Sequence, residues 1–98
     1  MGSDELELKR ELSEICHKTG VPDGQPLMKA IFDWISAVTG TERAQRSVPF
    51  NRLVGEIKVQ AKCFDQYQVS QEQKGMDEAR EKIHQLLKDF VDKLPARK

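Results

Sequence analysis

The chain has no uninterrupted apolar run of about 18 residues, so no segment of it reads as a transmembrane helix. Its first residues are acidic and lack an apolar stretch, so no secretory signal peptide is expected there. Cysteine is scarce. Cys16 and Cys63 are the only two, and both fall inside helical patterns, which points to reduced thiols and a cytoplasmic or nuclear protein rather than a disulfide framework. The six glycines sit mostly at turns, and none builds a phosphate-cradling loop: G-x-x-x-x-G-K-[ST] and G-x-G-x-x-G are both absent. The metalloprotease pattern H-E-x-x-H and the nucleophile elbow G-x-S-x-G are missing too. An excess of either charge is lacking as well. Sixteen basic side chains balance sixteen acidic ones, which argues against a strong binder of nucleic acid or of membrane surfaces. No segment alternates apolar and polar residues strictly, so no strand is expected.

What remains is a 98-residue chain, 33% charged and 38% hydrophobic, a balance that suits amphipathic helices with one buried stripe each. This length supports a single domain covering residues 1–98, with enough core to fold without metal or disulfide. Met1-Gly2-Ser3 has the composition of a cloning remnant, in which case the chain is a domain cut from a longer protein.

Four helices are expected. The first spans about Asp4 to Thr19, opened by a capping box of Asp4 and Glu7 and closed by Gly20, with Leu8, Leu12, Ile15, Cys16 and Thr19 on one face. The second begins near Pro26 and is apolar around most of its girth, leaving Lys29, Asp33 and Ser36 as a narrow polar strip. Such a helix is expected at the centre of the bundle, with Trp34, opposite the strip, buried at the heart of the fold. Residues 41–48 read as a polar connection that could hold a short fifth helix. Pro49 then opens the third helix, whose face carries Phe50, Leu53, Val54, Ile57, Ala61 and Phe64. Lys74-Gly75 reads as a break, and the fourth helix runs from about Met76 to Leu94, with Pro95 as a stop and Arg97-Lys98 as a basic tail. The expected architecture is therefore all-α, a compact antiparallel bundle of four main helices.

Two Glu-x-x-His pairs, Glu14/His17 and Glu81/His84, match the spacing of di-iron bundles, with Asp33 and Glu56 as further carboxylates. The geometry opposes it: at about 100° per residue, Glu14, His17 and Glu81 point roughly 140° or more from their helices' apolar faces, whereas ligands in a bundle point inward. Cys16, His17, Cys63 and His84 lack the close pairing of zinc ligands. A Cys/His catalytic pair needs an accessible thiolate beside a base, and Cys16 lies on a buried face. No metal, no cofactor and no catalytic residue is assigned.

Two surface features remain. Arg43, Arg46, Arg52, Lys58 and Lys62 form a basic cluster within residues 43–62, and residues 41–75 carry six basic against four acidic side chains. Glu56 interrupts it, and the nearby aromatics face the core. Val59, Cys63 and Tyr67 form a second apolar stripe on the third helix, roughly 80° to 160° from its core face. Either the helix has two neighbours within the bundle, or the stripe receives an acidic or amphipathic helical peptide steered by the bases beside it. The function expected is that of a non-catalytic adaptor or regulatory domain that binds another protein. The alternative is a nucleic-acid-associated domain using the basic cluster.

Overall fold

The computed structural model describes the backbone of residues 2–94 and the side chains of residues 6–94. The Asp4 side chain, Pro95 and the Arg97-Lys98 tail fall outside that range. Four helices follow in order: α1 (Gly2–Thr19), α2 (Gly24–Ser36), α3 (Gly40–Val69) and α4 (Gln73–Asp92). The described residues form no strand. Two ion pairs, Lys58–Glu11 at 2.7 Å and Lys18–Asp65 at 2.6 Å, both link positions separated by 47 residues, so α1 and α3 run parallel. Phe32 against Phe50 and Trp34 against Arg46 place α2 antiparallel to α3. Arg80 over Phe64 and Tyr67 against Gly75 do the same for α3 and α4. The result is an up-down-up-down bundle.

The stripes read from the sequence meet in one core: Leu12 and Cys16 from α1, Met28, Ile31, Phe32 and Ile35 from α2, Phe50, Leu53, Val54 and Ile57 from α3, and Ile83 and Leu87 from α4. The α2 helix contacts all three others, as its apolar girth implied. Its polar strip faces out, where Lys29 and Asp33 pair at 3.1 Å. At Gly24, the approach of α2 to α1 is so close that a Cβ would lie 3.1 Å from Cys16 Cβ.

Helix boundaries differ from the sequence reading in three places. First, α1 reaches back to Gly2, which puts Asp4 inside the helix rather than at its cap. Second, residues 41–48 are neither a connection nor a separate fifth helix. They are the opening turns of α3, which continues through Pro49 for 30 residues and sets the 45 Å length of the molecule. Proline inside a helix loses a hydrogen bond and crowds the preceding turn, so something must hold that segment. Arg46 does. Its guanidinium donates to the Trp34 carbonyl at 2.6 Å, pairs with Glu42 at 3.1 Å and stacks on the Trp34 ring at 5.0 Å. A periodicity argument misses this, because the anchor is a polar side chain reaching another helix.

Third, Lys74-Gly75 is not a break. The turn lies earlier, at Ser70 to Glu72, and Gly75 belongs to the first turn of α4. There the chain reverses through Gln71 in the left-handed region (φ 59°), with Glu72 N–H donating to Tyr67 C=O at 2.8 Å and Gln71 N–H to Gln68 C=O at 3.2 Å. The end of α1 uses the same device with the expected Gly20 (φ 71°), where Val21 N–H donates to Cys16 C=O at 3.2 Å. A side chain at a left-handed position costs about 1 kcal/mol, which glycine avoids. Gln71→Gly should therefore raise stability by about 0.5–1 kcal/mol in a urea titration, less than the full strain because glycine also loosens the unfolded chain. A loss of stability would show that the Gln71 side chain has a packing role.

Candidate functional site

Sequence reasoning gathered eight residues on α3, and the structure separates them. Lys58 is exposed but tied to the Glu11 carboxylate of α1 at 2.7 Å. Arg46 is committed to Glu42 and Trp34, and Arg43 is half-buried. Lys62 and Arg52 are exposed and make no ion pair among the described residues. The stripe is divided too. Residues four apart on a helix advance by about 40° around it, so Val59, Cys63 and Tyr67 wind from the outer side of α3 toward its neighbour α4. Val59 stays 58% exposed, Cys63 is half-buried, and the Tyr67 ring lies on Gly75 of α4. At its Tyr67 end the stripe is thus covered from within the bundle.

The remaining chemistry-bearing residues are quiet. Glu14, His17 and Glu81 are exposed, and no group of three His, Cys, Asp or Glu side chains is placed to hold a metal ion among the described residues. Both cysteines are free thiols, and burial pushes the Cys16 thiol up to about 11. That keeps it protonated and a poor nucleophile.

The feature that sequence reasoning missed is a cleft of about 380 Å³ where the end of α2 meets α3 and α4. Its apolar floor is Trp34, Pro49, Leu53, Leu86, Phe90 and Leu94. Four charged residues form its rim: Arg52 and Glu56 from α3, Asp89 from α4 and Lys93, which caps α4. Of the eight candidates only Arg52 belongs to it. Trp34 is the centrepiece. It is not at the heart of the fold but half-buried against the core's edge, because α2 ends two residues later and no helix covers its outer side. Phe90 packs edge-on against it at 5.8 Å, and Arg46 covers its other side. The Trp34 indole Nε1–H is buried and has no hydrogen-bond acceptor among the described residues. Buried donors are normally satisfied, so this one marks a stressed position. Val48, which precedes Pro49 of the cleft floor in the chain, is 59% exposed.

Two arginines brace helix ends, Arg46 beside the cleft and Arg80 toward the other end of the bundle. Arg46 caps a carbonyl in the last turn of α2. Arg80 does the same for α1: its Nε donates to Thr19 C=O at 2.6 Å while its guanidinium sits over Phe64 at 6.0 Å and pairs with Asp77 at 2.8 Å. Helix C-terminal carbonyls lack intrahelical partners and carry negative partial charge, so a guanidinium satisfies both needs. No sequence motif could have shown these contacts, since each target is a backbone carbonyl on a different helix.

No protein-family model matches this chain, and no curated protein and no solved structure is significantly similar to it. No helix among the described residues is long and apolar enough to cross a membrane.

Proposed function

We propose that this chain is a non-catalytic protein-interaction domain and that it meets its partner at the Trp34 cleft. The observation that carries the reading is a half-covered aromatic floor, Trp34 with Phe90, ringed by four charges that form no ion pair among the described residues. Tryptophan and arginine anchors at the centre of an apolar patch are what dominate binding energy at protein interfaces. A concave apolar surface bordered by charge suits the apolar face of an amphipathic helix. The outer side of α3 is a poorer candidate, because Tyr67 is spent on Gly75 and the exposed valines, Val48, Val59 and Val69, stand ten or more residues apart, as single exposed apolar side chains ordinarily do. The basic cluster is also less suited to phosphate than its spacing implied, because Lys58 and Arg46 are held by carboxylates and Arg52 neighbours Glu56.

The test is affinity capture with three baits: the natural chain, Leu94→Asp in the cleft, and Val59→Asp on the outer face. Circular dichroism first confirms that all three are folded. Partners bound through the cleft should fall at least about tenfold with Leu94→Asp and stay with Val59→Asp. The opposite pattern moves the site to the outer side of α3. Capture that disappears on nuclease treatment replaces this reading with nucleic-acid association.

A further inference from the structure

We propose that the occupant of the Trp34 cleft is a second copy of this chain, docked antiparallel so that α3 lies across α3 and α4 across α4. This rests on reading the cleft as an interface and goes further by naming the partner.

The polarity of the rim carries it. With Tyr67 level with Gly75 and Phe64 level with Arg80, the antiparallel register of α3 and α4 is fixed. Carried along the helices at about 1.5 Å per residue, that register places Arg52 and Lys93 toward one end of the cleft and Glu56 and Asp89 toward the other. Each side of the rim therefore bears one base and one acid four residues apart, Arg52/Glu56 on α3 and, at the end of α4, Asp89 with the capping residue Lys93, whose N–H still donates to Asp89 C=O at 3.1 Å. Such spacing commonly closes into a pair on the helix's own surface, as Lys29/Asp33 and Glu42/Arg46 do here. Neither rim couple does so among the described residues, and Asp89 instead accepts a hydrogen bond from Gln85 at 2.8 Å.

A surface with its bases at one end and its acids at the other is complementary to itself after a half-turn. Two ways of facing two copies are possible. When the two-fold axis runs across the helices, the copies lie antiparallel, Arg52 meets Glu56 of the second copy, and Glu56 meets its Arg52. Lys93 and Asp89 are matched in the same reciprocal way, as an isologous contact requires. When the axis runs along the helices, the basic ends meet each other and so do the acidic ends, and repulsion rejects that arrangement. Charge thus selects one geometry, while the apolar floor supplies most of the attraction, since exposed ion pairs contribute little by themselves. A foreign helix would have to bring this pattern, whereas a second copy already has it.

Ten residues line the cleft, fewer than the 20–30 per side of a standard interface, so a dissociation constant on the order of 100 µM is expected. Sedimentation velocity of the full chain, taken up to about ten times that concentration, should show a monomer–dimer equilibrium. Arg52→Glu sets a carboxylate against Glu56 of the second copy and should weaken the dimer at least about tenfold. The exchange Arg52→Glu with Glu56→Arg restores reciprocity and should restore the dimer. A chain that stays monomeric throughout overturns the proposal, as does an exchange variant no tighter than Arg52→Glu. Loss of captured partners with Leu94→Asp from a monomeric chain would leave the interaction reading standing while removing self-pairing. A monomer whose captured partners ignore Leu94→Asp removes both.

Discussion

Gly75→Ala should destabilise the domain by about 2 kcal/mol, although alanine is the better helix former by about 1 kcal/mol. The reason is the Tyr67 ring. A Cβ on Gly75 would overlap Cγ and Cδ1, the root of the ring, and not a mobile tip that could swing aside. To admit the methyl group, Tyr67 must leave its rotamer or α4 must move off α3, and these two helices share the most extensive packing in the fold. Either route forfeits aromatic burial and opens the turn at Gln71. A double-mutant cycle read by denaturant titration separates this steric cost from any loss of helix propensity. In a Tyr67→Ala background the clash is gone, so Gly75→Ala should turn neutral or slightly stabilising. If Gly75→Ala destabilises equally in both backgrounds, the ring is not what Gly75 accommodates, and Tyr67 becomes available again as a surface anchor.

That contact also shows where the sequence could be read and where it could not. The apolar faces of all four helices were legible because helical period is a local property: Leu12 and Cys16, Ile31 and Ile35, Phe50 to Phe64, and Ile83 and Leu87 are buried where the spacing put them. Gly20 was legible because a left-handed residue after a helix favours glycine. Gly75 misled for the same reason. It reads as punctuation, but it is small because Tyr67 sits on it, and the left-handed turn residue is Gln71, which carries no such signal. The opening of α3 was illegible because Arg46, not an apolar stripe, holds it down, and Pro49 offered a plausible false start. The cleft was beyond reach altogether. Its floor and rim come from three helices, and the period tells which side of its own helix a residue occupies, not how far along a neighbour that helix ends. The eight candidate residues all came from one stretch of chain, so they could not describe a site assembled from three.

Trp34 is the clearest case, and it yields the prediction with the largest effect. Its place opposite the polar strip of α2 put it at the centre of the fold, which would make its loss cost about 3–5 kcal/mol. The structure gives that place to Phe50. Phe50 is 1% exposed, packs edge-on against Phe32 at 5.0 Å, and lies within the cluster formed by α1, α2, α3 and α4. Trp34 is half-buried at the cluster's edge, with one side open to the cleft. Phe50→Ala should therefore cost about 3–5 kcal/mol, much of the stability expected of a domain this size. Trp34→Ala should cost about 2 kcal/mol, since part of its surface is already in water and its buried Nε1–H, which has no acceptor among the described residues, is removed with it. Urea titrations of the two variants, with the slope of each transition checked against that of the natural chain, give the comparison directly. Equal losses, or a larger one at Trp34, would mean that the tryptophan is covered after all and that the cleft over it is too shallow to receive a partner. A small loss of stability at Trp34 together with a large loss of binding is the pattern of a residue kept for what lies outside the fold.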